Sequence, residues 1–140
     1  MGAREYDLVV IGAGPVGENV ADRAVQGGLR VVIVESELVG GECSYWACMP
    51  SKALLRAGSV LRAARAVDGA KQAVTGNVDV AAALARRTRM THDWNDSSQV
   101  EWLESAGIDL VRGHARIAGR KRVEVTRPGG EVVDLIATHA

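Results

Sequence analysis

The chain has 140 residues, enough for one domain with a real core, and 47% of them are hydrophobic, which excludes a disordered polypeptide. Basic and acidic side chains number 17 each, so the formal net charge is zero and neither a nucleic-acid surface nor an acidic tail is indicated. No apolar run approaches the ~20 residues of a membrane span and the first seven residues lack a signal-peptide core, so the expected setting is cytoplasmic.

Tyr6-Asp7-Leu8-Val9-Val10-Ile11 is a short apolar run that predicts a buried parallel strand. Gly12-Ala13-Gly14-Pro15-Val16-Gly17 follows directly. This is Gly-x-Gly-x-x-Gly at a strand-to-helix turn. Gly12 makes the tight turn, Gly14 lets a pyrophosphate approach the backbone, and Gly17 lets helix and strand pack closely. The phosphates of a dinucleotide then lie at the helix N-terminus. Pro15 suits the first helical turn, where a missing N–H costs nothing. Val16, Val20, Ala21, Ala24 and Val25 continue the helix on one face, and Gly27-Gly28 end it. A second strand over residues 30–35 closes with Glu35, twenty-one residues after Gly14. An acid at that place binds ribose hydroxyls. Strand, glycines, helix, strand and terminal acid in this order predict dinucleotide binding on an α/β, Rossmann-type fold.

Gly40-Gly41-Glu42-Cys43-Ser44-Tyr45-Trp46-Ala47-Cys48-Met49-Pro50-Ser51-Lys52 holds both cysteines of the protein. Intracellular disulfides are mostly transient and catalytic. On a straight α-helix, a step of five residues turns about 500° and rises ~7.5 Å, so the two side chains point about 140° apart. A disulfide needs Cα atoms within about 7 Å. The pair therefore bridges well only if Cys43 sits in a loop or a distorted first turn and Cys48 sits in the helix. A helix N-terminus also favours a reactive thiolate. Other readings are half of a zinc site, to which only His92, His114 and His139 could add nitrogen, or a pair of inert core thiols.

Residues 53–67, rich in Ala, Leu and Arg, predict a helix that Pro50 either kinks or restarts. A loop spans about 68–77. Asp79 is expected to cap a helix from Val80 to about Met90, whose Arg86, Arg87 and Arg89 read as a solvated face. Residues 91–96 break the pattern. Ser98 and Glu101 then form an expected capping box for a helix ending near Gly107. Trp94 and Trp102 read as packing residues. From Ile108 the composition turns to strands: 110–113, with 114–117 as a candidate continuation, then 123–126 and 132–136, with turns at Gly119-Arg120 and Pro128-Gly129-Gly130.

Gly-Gly-x-Cys43-(four residues)-Cys48-x-Pro50-Ser51-Lys52, downstream of the glycine fingerprint, resembles the active-site stretch of the FAD-dependent pyridine nucleotide–disulfide oxidoreductases, the family of dihydrolipoamide dehydrogenase, glutathione reductase and mercuric reductase. Between the cysteines, members usually carry Asn and Gly where this chain reads Ser44-Tyr45-Trp46-Ala47. The resemblance implies a Rossmann-type FAD-binding domain with a small antiparallel β meander, incomplete relative to the family, and NAD(P)H as co-substrate. It implies that Cys43 attacks the substrate disulfide, that Cys48 faces the flavin, and that Lys52 lies near the flavin ring. Gly12, Gly14, Pro15, Gly17, Glu35 and Gly41 are then cofactor-binding. Gly113-His114-Ala115 matches the segment whose backbone touches the adenine, so His114 and Ala115 act through the main chain. The implied partners are a small-molecule disulfide or similar acceptor and a second subunit of a homodimer; no resident metal, nucleic acid or membrane is expected. Members carry Ala-Thr-Gly where this chain reads Ala137-Thr138-His139. The nicotinamide-binding and dimerisation domains, and the His and Glu that the partner subunit donates as acid and base, lie outside residues 1–140. The expectation is thus a truncated chain without turnover by itself, or alternatively a non-enzymatic thiol-redox or zinc-binding module.

Overall fold

The structure, a computed structural model, describes residues 3–140. In chain order it runs β1 (Arg4–Tyr6), β2 (Leu8–Ile11), α1 (Pro15–Gln26), β3 (Val31–Glu35), α2 (Gly41–Tyr45), α3 (Cys48–Ala66), α4 (Val80–Met90), α5 (Ser97–Ser105), β4 (Asp109–Arg112), β5 (His114–Gly119), β6 (Arg122–Thr126) and β7 (Val132–Ala137). Two compact units share these elements. One is the chain up to Gly41 together with Asp96–Ala140; the other is Glu42–Asn95.

The first unit holds two sheets. A three-stranded parallel sheet has the order β2-β3-β4, and a four-stranded sheet has the order β1-β7-β6-β5. β3 is central in the parallel sheet and all five of its residues are buried. The physical reason is that both its faces are covered, so a strand that alternates sides still reads as a continuous apolar run. Val32 and Val34 join Val111, Val123, Val125, Val133, Leu135 and Tyr6 in a core shared with the four-stranded sheet. Val31 and Ile33 face the opposite way, into a core with Ala21 of α1 and Leu103 of α5.

The run from residue 6 to 11 differs from the single strand expected. Arg4–Tyr6 pairs with β7 and Leu8–Ile11 pairs with β3, so the chain changes sheets at Asp7. Asp7 secures that change: its carboxylate accepts from Arg30 N at 2.8 Å and from the Thr138 hydroxyl at 3.0 Å. A second division falls at Gly113, which separates β4 in one sheet from β5 in the other. Its φ is +151°, and a Cβ there would meet Thr126 O at 2.5 Å, so only glycine passes. The antiparallel part, β5-β6-β7, is the expected meander.

In the second unit α3 packs against α4. Pro50 is the third residue of α3, within its first turn, so it starts the helix and does not kink it. The Asp79 side chain accepts from Ala82 N at 2.9 Å, the expected cap of α4. After α4, His92, Asp93 and Trp94 adopt positive φ in a short 3-10 turn. That turn is held by the Trp94 indole N–H, which donates to Tyr45 O at 3.2 Å, and by the Arg87 guanidinium, 5.1 Å from the Trp94 ring centre. Arg86 and Arg89 are exposed, whereas Arg87 is half-buried by this contact.

The expected capping box of α5 does not form. The Ser98 hydroxyl bonds its neighbour Gln99, and the N-cap position is Asp96, whose side chain makes no cap bond. Asp96 is used elsewhere: it accepts from Val39 N at 2.8 Å and pairs with Arg112. A distant arginine outcompetes the local helix donors because a charge-assisted bond is roughly twice as strong as a neutral one.

Candidate functional site

The glycine turn is shaped as the fingerprint requires. Gly12 has φ +94°, a conformation other residues adopt only under strain. A Cβ on Gly17 would stand 2.0 Å from Gly12 O, so helix and strand approach only because residue 17 has no side chain. Over Gly12 and Gly14 the opposite holds: a Cβ would meet nothing within 4 Å, leaving open space above the turn. α1 begins at Pro15, and Gly14 supplies no side-chain cap, so first-turn N–H groups remain for an anion.

Glu35 ends β3 and is buried, with 9% of its surface exposed. One carboxylate oxygen accepts from Ala13 N at 2.8 Å and the other from Glu37 N at 2.8 Å. The acid is thereby held at the turn, and each oxygen keeps a lone pair for a ribose hydroxyl. Gly41, with φ +54°, comes close enough that a Cβ would lie 2.9 Å from the Gly14 Cα. Gly40 N donates to Ala13 O at 2.7 Å. Gly113 N donates to Glu35 O at 2.9 Å, which brings the start of β5 beside the acid. His114 is exposed there and Ala115 is half-buried against the inter-sheet core. The first unit therefore gathers Gly12, Gly14, Pro15, Gly17, Glu35 and Gly41 around one turn, while His114 and Ala115 follow Gly113, which bonds the Glu35 backbone. An open turn with donors, an oriented acid and glycines packed Cα to Cα is a set that fits the diphosphate and ribose of a dinucleotide such as FAD.

Sequence reasoning missed the support of this turn. Arg112 donates to Glu37 O and pairs with Asp96, which in turn holds Val39 N. This clamp fixes the loop between Glu35 and Gly40. Asp96 read only as part of the break at 91–96, and no local signal marks its partner sixteen residues away.

The cysteine pair lies in the second unit. Cys43 is half-buried in α2, and Cys48 is exposed as the first residue of α3. Between the two helices Ala47 has φ −118° and ψ −86°, outside the helical region. The helix break falls between the cysteines, as their spacing demands. It differs from expectation in that Cys43 is helical and Cys48 begins its helix. Cys48 is thus placed where backbone N–H groups lack helical partners. Lys52 is one turn further along α3 and exposed, on the same face as Cys48. Tyr45, between the cysteines, is 1% exposed, its hydroxyl within 3.4 Å of Asn95 O, while Trp46 is exposed and edge-on to it at 5.7 Å. The aromatic pair anchors the cysteine segment, a packing role not legible from the motif. Among the described residues, no group of three or more His, Cys, Asp or Glu is arranged to hold a metal ion, and no helix is long and apolar enough to cross a membrane.

The chain is 36% identical over 136 residues to the dihydrolipoyl dehydrogenase of Chlorobaculum tepidum, a match covering 93% of this chain and 28% of that protein. It is 30% identical over 123 residues to the mercuric reductase of Lysinibacillus sphaericus, covering 86% of this chain and 22% of that protein. The chain thus spans between a fifth and a third of these relatives' lengths. In structure it resembles the Cu(II) complex of the HOCl-induced flavoprotein disulfide reductase RclA from Escherichia coli, with a TM-score of 0.74 and 22% identity over 98% of this chain and 27% of that one, a likeness of fold. The family profile of the pyridine nucleotide-disulphide oxidoreductases matches residues 6–134. With that match over most of its length, the chain belongs to the pyridine nucleotide–disulphide oxidoreductase family.

Proposed function

We propose that these residues form the flavin-binding and dithiol part of an oxidoreductase that passes electron pairs from NAD(P)H through FAD to Cys43 and Cys48, and on to a small-molecule disulfide or related acceptor. The observation that carries this reading is the glycine turn with Glu35 locked to Ala13 N, on a chain whose only two cysteines straddle a helix break. FAD, when bound, supplies the two-electron relay between NAD(P)H and the cysteines.

The residues of this chain divide the remaining work. First-turn N–H groups of α1 and the open turn hold the diphosphate, Glu35 accepts from the ribose, and the backbone at His114 and Ala115 meets the adenine. Cys43 attacks one sulfur of the acceptor disulfide; that S–S bond breaks, one thiolate leaves and takes a proton, and a mixed disulfide remains. Cys48 then attacks Cys43 Sγ, releasing the second thiol and closing the Cys43–Cys48 disulfide. Two electrons have passed to the acceptor, and two from NAD(P)H restore the dithiol. Lys52, on the face of Cys48, supplies positive charge. The reading includes a cytoplasmic setting and a homodimeric assembly, as the family resemblance implies.

The test is the absorbance of the purified chain after incubation with FAD and desalting. Retained flavin is expected, and on reduction a long-wavelength thiolate–flavin band. Cys48→Ser is expected to abolish that band while flavin stays bound. Survival of the band in the variant refutes the role of Cys48, and a folded chain that retains no flavin refutes the cofactor assignment.

A further inference from the structure

We propose that Glu18 is a proton-linked affinity residue of the dinucleotide turn, so that a bound diphosphate and a proton on the Glu18 carboxyl each favour the other. The inference rests on the cofactor reading above and concerns a residue outside the fingerprint.

Glu18 directly follows Gly17 in the first turn of α1, and its N–H donates to Gly14 O at 2.9 Å. It therefore belongs to the same helix end that is to receive the diphosphate. Glu18 is half-buried, and one oxygen of its side chain, Oε1, is buried with no hydrogen-bond partner. A buried, unsatisfied carboxylate oxygen is costly, and the cost is relieved when the group is neutral.

Among the described residues, none of the side chains that line the cavity at Glu18 is a cation. From its own helix, Asp22 lines the same cavity of about 370 Å³. From α5, the lining residues are Ser98, Gln99 and Trp102, all uncharged. β2 carries no charged residue. From β3 comes Glu35, whose oxygens are occupied by Ala13 N and Glu37 N. The nearest basic side chain on β4, Arg112, is committed to Asp96 and to Glu37 O. Burial, and secondarily the Glu35 charge, hold the Glu18 carboxyl above the ordinary glutamate range.

A diphosphate at this turn brings further negative charge to a site that already holds one ill-solvated carboxylate. The two anions stand at the same helix end and repel each other. Protonating Glu18 removes the conflict, and by linkage the bound diphosphate promotes that protonation.

The test is FAD binding by the 140-residue chain, followed by flavin fluorescence from pH 5.5 to 8.0 and by calorimetry in two buffers of different ionisation enthalpy. The wild-type chain is expected to lose about tenfold in affinity as pH rises, a typical coupling between two sites, and to take up protons on binding. Glu18→Gln, which keeps the shape and stays neutral, is expected to bind at high pH as tightly as the wild type does at low pH, with the proton uptake gone. Any linkage arising from a histidine survives this substitution. Wild-type binding without proton uptake overturns the proposal without recourse to the variant, and so does an unchanged pH dependence in Glu18→Gln. Absence of FAD binding by a folded chain at every pH overturns the cofactor reading, and this inference with it.

Discussion

At the scale of single residues, two acids beside the glycine turn, one in the first turn of α1 and one at the end of β3, have opposite fates. Glu35 is buried but satisfied, both oxygens accepting backbone N–H groups at 2.8 Å. Glu18 has a buried oxygen that accepts nothing. The first arrangement orients a ligand; the second stores a penalty. The sign of that penalty with pH follows from the raised Glu18 titration. A group whose folded value lies above its unfolded one stabilises the fold fully below the unfolded value and loses that contribution as pH rises through the folded value. For Glu18 the window begins near the ordinary 4.5 of a glutamate and extends upward. Glu18→Gln is therefore expected to match the wild type in urea stability at pH 4 and to exceed it at pH 8, in the absence of ligand. An equal difference at both pH values would show that packing, not charge, governs this position.

At the scale of elements, helix ends decide more than helix interiors. Asp79 was legible as a cap because the competition is local: its oxygen has only to reach Ala82 N, three residues on. Asp79→Ala is expected to cost about 1 kcal/mol, read as a lower urea midpoint with an unchanged slope. The start of α5 carries the same kind of local signal, Ser98 followed by Glu101, but the structure does not use it. Ser98→Ala is accordingly expected to change stability by less than about 0.5 kcal/mol, as an exposed substitution away from any cap does. The cysteine segment obeys the same logic. Two helices meeting at a non-helical Ala47 put Cys43 and Cys48 on separate elements, and Cys48 at a helix start.

At the scale of the whole molecule, the first unit is organised by a central strand with two covered faces. β3 sends Val31 and Ile33 toward the helices and Val32 and Val34 toward the four-stranded sheet. Leu135, 0% exposed, lies at the centre of the second interface. Leu135→Ala is expected to cost about 2–5 kcal/mol by transfer and cavity terms, with loss of cooperative unfolding in this unit if the interface collapses. A cost below 1 kcal/mol, measured by denaturant titration, would mean that the two sheets do not share a packed core. The turn that receives the proposed cofactor stands at the end of β2 and β3, so damage to this core is also expected to weaken flavin retention.

The sequence by itself determined the βαβ unit, the ends of α1, the acid at the close of β3, the cap of α4 and the separation of the two cysteines by a helix break. Each follows from forces that act over a few residues: a glycine's access to positive φ, a proline's fixed torsion, a carboxylate within reach of the next turn, and the angular step of the α-helix. Tertiary structure alone decided how 6–11 is divided between two sheets, because that depends on the pairing of Arg4 with Leu135 and of Leu8 with Val31. It alone made Asp96 a clamp, because Arg112 arrives from β4. And it alone left Glu18 with a buried, unpartnered oxygen beside Glu35, since burial and the distance between two charges are properties of the packed chain and have no signature in the order of its residues.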